Sequence, residues 1–331
     1  MIDGVRGTRV IEGDNAELYL NIINTFHNVA SKYSFNYIKL PTIEKEELFS
    51  RSVGDNTDIV SKQMYSFQDK KGRNLVLRPE GTAGVVRHHI DKKYSEHKNY
   101  YYSEQMFRYE RPQKGRYREF HQVGAEIVGC SEDSTDDIFK IAQLSNDFLE
   151  SCIPENTKIN FEINSIGNNE DRINFSKDLV LYLKKHRNNL SDDSRIRLEN
   201  NPLRILDSKD QNDIDILKES PKLSKYRSDK SNEKYEIIKN MLSQAKISYK
   251  ENEYLVRGLD YYNDFTFEIV PQGSKGSQDA LGGGGQYDEL AYLLGGKKLN
   301  GVGVALGVDR IMELNSQWTY LILKNLNQIM N

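Results

Sequence analysis

Nine of the 23 glycines fall between Gly282 and Gly307, where Leu281-Gly282-Gly283-Gly284-Gly285 is followed by Gly301-Val302-Gly303-Val304-Ala305-Leu306-Gly307. So many positions without a Cβ imply close backbone approach, either to a ligand or between tightly packed elements. The four-glycine run does not continue into G-x-G-x-x-G, and no Walker sequence occurs. A glycine loop at a helix N-terminus is therefore not expected to bind phosphate here, and any nucleotide phosphates must be held by arginine side chains.

From Asn15 to Tyr33, Leu18, Ile22, Ile23, Phe26, Val29 and Ala30 recur at helical spacing and predict an amphipathic helix. Tyr37-Ile38-Lys39-Leu40-Pro41 and Asn74-Leu75-Val76-Leu77-Arg78-Pro79 read as two short strands, each ended by proline. Asn99 to Tyr109 and Arg118 to Val128 are β-rich, and Arg111-Pro112-Gln113-Lys114-Gly115-Arg116 between them marks a loop. This predicts a long hairpin with a basic tip. From about Asn169 to Ser248 the chain turns to Lys, Asp, Asn and Ser at helical spacing, exemplified by Ile237, Ile238, Met241 and Leu242. That stretch reads as a polar, mostly helical insertion. Hairpins rather than regular βαβ units favour an antiparallel α+β fold.

At 331 residues, one large domain with an insertion, or two domains, is expected. With 37% hydrophobic and 29% charged residues the composition excludes a disordered chain, and no apolar run reaches membrane-helix length. MIDGVRGTRV lacks the apolar core of a signal peptide, so a cytosolic location is expected and no membrane partner. Cys130 and Cys152 lack zinc-site spacing and read as reduced thiols. A net charge of −3 gives no global signal for nucleic acid, so any RNA contact must come from a local patch.

The basic hairpin supplies such a patch. Arg108, Arg111, Lys114, Arg116 and Arg118 face a single acid, Glu110, within eleven consecutive residues. Charges on an edge hairpin often serve only to discourage strand pairing. Here arginines occupy strand positions as well as the tip, and strands fix a guanidinium in the orientation that bidentate phosphate binding needs. His88-His89 and His121 have no further ligands at metal spacing; the adjacent pair reads as an exposed helix segment, and no role is assigned to them.

Arg51-Ser52-Val53-Gly54-Asp55-Asn56-Thr57-Asp58-Ile59-Val60, Leu77-Arg78-Pro79-Glu80-Gly81-Thr82-Ala83-Gly84 and the run from Met106 to Arg118 resemble, in order, the first half of histidyl-tRNA synthetases. Leu255-Val256-Arg257-Gly258-Leu259-Asp260-Tyr261-Tyr262 resembles that family's histidine-specific signature, and Gly303 to Arg310 its third class II motif.

The resemblance implies a class II antiparallel sheet flanked by helices: catalytic core over 1–168 and 249–314, a helical insertion over 169–248 touching the tRNA acceptor arm, and a tail over 315–331. It also implies activation of L-histidine with ATP and Mg2+, transfer to tRNA(His), and a homodimer whose interface includes the region from Pro41 to Val60. By correspondence, Arg108 and Arg257 hold the α-phosphate as catalytic groups, Arg116 and Arg310 take the outer phosphates, and Glu110 joins the ATP site. Glu126 and Tyr262 face the imidazole, beside Tyr261. Glu80, Gly81, Thr82 and Gln122 surround the α-amino group, with Tyr287 nearby. No resident metal is implied.

Three positions depart from the family pattern: Glu104-Gln105 stands at the usual Gly-Pro, Gln286 at an arginine, and Asp309 at a glutamate. The Gln286 change is expected to remove a positive charge near the ligand. The chain also ends 21 residues after Arg310, so the family's anticodon-binding domain is expected to be missing. Trp318, Tyr320, Leu321 and Leu323 of the tail are candidates to pack on the core. Two other readings follow from the same resemblance: the histidine-binding regulatory subunit of ATP phosphoribosyltransferase, which tends to lose the catalytic arginines, and a truncated synthetase with little charging activity.

Overall fold

A computed structural model describes residues 2–54, 57–131, 133–273 and 279–315; Asp55, Asn56 and the tail residues proposed to pack on the core lie outside the described residues. The chain begins with α1 (Asp14–Lys32), followed by β1 (Asn36–Tyr37), β2 (Ile43–Lys45), α2 (Glu46–Val53), β3 (Tyr65–Gln68), β4 (Asn74–Leu77) and α3 (Thr82–Asp91). The predicted hairpin is β5 (Lys98–Phe107) and β6 (Glu119–Val128), closed at its tip by a Gln113–Arg116 bridge. Then come α4 (Thr135–Cys152), β7 (Ile159–Ser165), α5 (Asn169–Lys185), α6 (Asp192–Asn200), α7 (Gln211–Lys218) and α8 (Asp229–Gln244). β8 (Tyr249–Glu251), β9 (Asn263–Pro271), β10 (Gly282–Gln286), α9 (Leu290–Leu293) and β11 (Gly301–Gly307) lead into a helix, α10, over 308–315.

Eight strands form one sheet in the order β1-β5-β6-β11-β10-β9-β7-β8. Its six middle strands are antiparallel, whereas β1 pairs parallel to β5 and β8 parallel to β7. The fold is α+β as expected, with a sheet that is mixed at both edges. β1 is also shorter than predicted. Beyond Tyr37 the backbone leaves the ladder, because Leu40 donates its N–H to Glu104 at 3.0 Å and gives its carbonyl to the Arg78 guanidinium at 2.6 Å.

The two-residue strand period divides the core. On one face Tyr101, Val123, Ala125, Ile127, Phe267, Val302 and Val304 pack with Phe26 of α1, Phe148 of α4 and Ile238 and Leu242 of α8. On the other, Tyr102, Tyr261, Tyr262 and Tyr287 cluster with α2 and α3, and that cluster continues into Phe175, Leu179, Leu183 and Leu198 of α5 and α6. Although α8 falls inside the stretch read as an insertion, its Tyr235, Ile238 and Leu242 belong to the first of these cores. His89 is fully buried on the inner side of α3, within 3.3 Å of the Tyr100 hydroxyl, which corrects the reading of His88-His89 as an exposed pair. Cys130 and Cys152 are free, partly buried thiols, and burial pushes Cys152 up to about 11.

Candidate active site

The second face of the sheet opens into a cleft of about 340 Å³. Every predicted site residue lines it except Glu126 and Tyr287: Glu80, Gly81, Thr82, Arg108, Glu110, Arg116, Gln122, Arg257, Tyr261, Tyr262 and Arg310. These come from six places in the sequence, gathered by the start of α3, the β5–β6 hairpin, the turn before β9 and the start of α10.

Glu126 and Tyr287 form the layer beneath the wall. Glu126 has no solvent exposure; the Thr82 hydroxyl donates to its Oε1 at 2.6 Å and the Tyr287 hydroxyl to its Oε2 at 2.6 Å. Burial drives its carboxyl up to about 8 against the pull of those hydrogen bonds. The reading of Glu126 as an exposed strand carboxylate is thereby excluded. Glu80 takes the Thr82 and Ala83 N–H groups at 2.7 and 3.0 Å, so it does start α3, and it also lies within 3.4 Å of the Tyr261 hydroxyl. Burial raises its pKa, opposed by those amides and by Arg108. Starting a helix and facing the cleft are compatible tasks for one carboxylate.

The glycines make room for these side chains. A Cβ on Gly303 would lie 1.7 Å from Glu126 Oε2, one on Gly301 2.2 Å from the Tyr287 ring, and one on Gly283 2.6 Å from the Arg257 guanidinium. Of the two explanations the sequence left open, close packing between elements accounts for these three positions. Strands β10 and β11 lose side chains so that the site's own can cross them.

Four arginines expected from the sequence, Arg108, Arg116, Arg257 and Arg310, line the opening. Arg108 donates from Nε to the Pro79 carbonyl at 2.8 Å and stands over the Phe120 ring. Its Nη1 and that of Arg116 lie 4.0 and 3.8 Å from the Glu110 carboxylate, which sits between them. Arg257 is paired with Glu268, and Arg310 is hydrogen-bonded to the Ala280 carbonyl. Burial, together with the nearby Arg116, lowers Arg310 to about 10. Desolvated, preoriented guanidinium groups at this density are suited to a polyphosphate.

Several contributors escaped sequence reasoning. Glu268 pairs with Arg257 from β9, Tyr102 lies across Gly81 and Gly124, and Arg204 and Asp207 reach the cleft from the inserted segment. Glu268 was findable in principle, as a charged residue amid the apolar alternation of β9; Arg204 and Asp207 carry no local signal. His121, which was assigned no role, lines the cleft and donates its N–H to Asp309 at 2.6 Å. Asp309 also binds Arg9, so the shorter acid at this position is fully engaged.

A family model described as histidyl-tRNA synthetase matches residues 7–168 and 189–311. The chain belongs to the histidyl-tRNA synthetase family. The unmatched stretch between the two segments holds all of α5. A histidine--tRNA ligase of Buchnera aphidicola is 41% identical over 99% of this chain and 74% of its own length. The chloroplastic histidine--tRNA ligase of Pyropia yezoensis is 43% identical over 94% of this chain and 72% of its own. The crystal structure of apo S. aureus histidyl-tRNA synthetase superposes with a TM-score of 0.74 at 30% identity, covering 95% of this chain and 73% of that one.

Proposed function

We infer that this chain is a histidine--tRNA ligase, activating L-histidine with ATP and transferring it to tRNA(His). The histidine carboxylate attacks the α-phosphorus and pyrophosphate leaves; a 3′-terminal hydroxyl of the tRNA then attacks the acyl carbon of the adenylate and AMP leaves. Neither step calls for a side-chain nucleophile. The protein's task is to align the reactants and to neutralise charge developing on phosphate oxygens, which preoriented arginines do without reorganising.

The observation that carries this reading is the convergence of Arg108, Arg116, Arg257 and Arg310 on a cleft whose inner wall is built from Glu80, Thr82 and Tyr262. Arg108 and Arg257 act on the α-phosphate; Arg116 and Arg310, with Glu110, hold the rest of ATP. Tyr261 and Tyr262 meet the imidazole, with Glu126 acting from the layer behind them rather than as the direct contact expected from the sequence, while Glu80, Gly81, Thr82 and Gln122 take the α-ammonium and Tyr287 secures Glu126. A site that pairs both imidazole nitrogens rejects apolar analogues by about 10⁴–10⁵ without editing.

ATP enters as its Mg2+ complex. No group of three or more His, Cys, Asp or Glu that could hold a metal occurs among the described residues. No helix among the described residues is long and apolar enough to cross a membrane, and we take the site of action to be the cytoplasm. The working unit is a homodimer, with Pro41 to Val60 at the interface. The regulatory-subunit alternative is disfavoured by the full arginine set. Incubation with tRNA(His), ATP and labelled histidine is expected to give labelled histidyl-tRNA; label that stays off the tRNA while adenylate forms would limit the activity to the first step.

A further inference from the structure

We propose that Lys234 is a positioning residue which brings a buried positive charge from α8 to Gln286 and Asp264, and so holds the two turns bearing Tyr262 and Tyr287. Gln286 is fully buried and lies opposite Val302, on the sheet face turned away from the cleft. Its Nε2 donates to Ser134 Oγ at 2.9 Å and to Asp288 Oδ2 at 3.0 Å, and its Oε1 accepts from Lys234 Nζ at 3.3 Å. The same ammonium stands 3.2 Å from Asp264 Oδ2 and 3.4 Å from Ser134 Oγ. Thus one buried lysine serves two carboxylates, Asp264 directly and Asp288 through Gln286.

Both carboxylates sit at joints of the histidine wall. Asp264 follows Tyr262 by two residues and has a φ of 51°, a left-handed conformation that a non-glycine residue adopts only when held. It is held by Lys234 and by the Ser165 hydroxyl at 2.9 Å. Asp288 follows Tyr287 directly and exchanges hydrogen bonds with Asn263, giving its N–H at 2.7 Å and accepting from Nδ2 at 2.9 Å. An arginine at 286 would project its charge into the space that Lys234 Nζ reaches, so lysine at 234 and glutamine at 286 form a matched pair. The loss of charge expected from the Gln286 change is then made good from another element.

The inference deepens the histidine-activation reading and rests on it. Its test is a cycle of three variants, Lys234→Gln, Gln286→Arg and the exchanged double, read by thermal unfolding and by histidine- and ATP-dependence of pyrophosphate exchange. Each single change is expected to lower Tm and to raise the histidine KM roughly ten- to hundredfold, with the ATP KM moved far less. The double should recover most of both losses. An unchanged histidine KM in Lys234→Gln, or a double no better than the worse single, would overturn the proposal. Should Lys234→Gln fail to fold, a folded double supports it and an unfolded double overturns it. The unfolding cycle reads the pair even in a chain without exchange activity, so failure of the functional reading and failure of this inference remain distinct.

Discussion

The Tyr287 hydroxyl donates to Glu126 Oε2 at 2.6 Å, and this bond fixes a carboxyl that has no contact with solvent. With Thr82 on its other oxygen, Glu126 is held at both carboxyl oxygens by buried hydroxyl donors. Its orientation is therefore set before any ligand arrives.

This carboxyl makes stability depend on pH. Its folded pKa, about 8, exceeds the ordinary 4.5, so the folded chain keeps a proton that the unfolded chain releases. Stability from this group falls as pH rises from 4.5 to about 8 and is level outside that window. Burial raises Glu80, Glu268, Asp260 and Asp288 as well, so they add to the trend. Denaturant unfolding of Glu126→Gln across this range should show a shallower slope than the parent; an identical slope would contradict the buried, proton-retaining carboxyl.

Gly303 is the position where a single methyl should do most harm to histidine recognition. Its Cβ would meet Glu126 Oε2 at 1.7 Å and the Ala125 carbonyl at 3.0 Å, in the middle of an antiparallel ladder that cannot shift easily. Gly303→Ala is expected to fold and to raise the histidine KM at least tenfold, with the ATP KM little changed, as a small displacement at a positioned site can cost up to about 10²-fold. Steady-state exchange kinetics measure both constants.

Arg257 carries the largest share of the phosphate chemistry in this account. Loss of one preorganised donor costs about 3–4 kcal/mol of transition-state stabilisation, so Arg257→Ala should reduce adenylate formation by two to three orders of magnitude. Its partner Glu268, largely but not fully buried, is then left without its paired cation. Single-turnover adenylate formation by Arg257→Ala and by the double Arg257→Ala/Glu268→Gln should be equally poor, whereas the double should unfold at the higher temperature.

Arg78 and Glu104 make the strongest stability prediction. Both are buried, joined at 2.6 Å, and together they satisfy the backbone of Leu40 and the carbonyl of Gln105. Arg78→Met should cost up to about 3–5 kcal/mol, because it leaves buried Glu104 with only the exposed Lys39 ammonium at 3.0 Å and the Leu40 N–H, and leaves the Leu40 and Gln105 carbonyls without their donor. Adding Glu104→Leu should return part of that loss in a urea titration.

The sequence was most informative where one physical pattern dominates. Helical spacing of Ile22, Phe26, Val29 and Ala30 located α1, and the alternation of β5 and β6 around a Pro-Gly tip located the hairpin. The resemblance to histidyl-tRNA synthetases named the residues that the fold brings to one cleft or just behind it. What stayed hidden depends on contacts across long stretches of chain. The shortening of β1 follows from an arginine 38 positions away, and the pairing of Lys234 with Asp264 joins α8 to β9. The burial of His89 depends on which face of α3 meets Tyr94 and Tyr100, and two adjacent histidines give no hint of it. Glycine density signalled close approach, but not that Glu126, Tyr287 and Arg257 were the groups approaching.

The most direct test of the account is histidine-dependent exchange of labelled pyrophosphate into ATP by the purified 331-residue chain, with the other amino acids as controls. It requires no tRNA and reads the proposed arginine cleft alone. The account predicts exchange with histidine and background with every other amino acid; a folded chain that binds histidine but gives no exchange would contradict it.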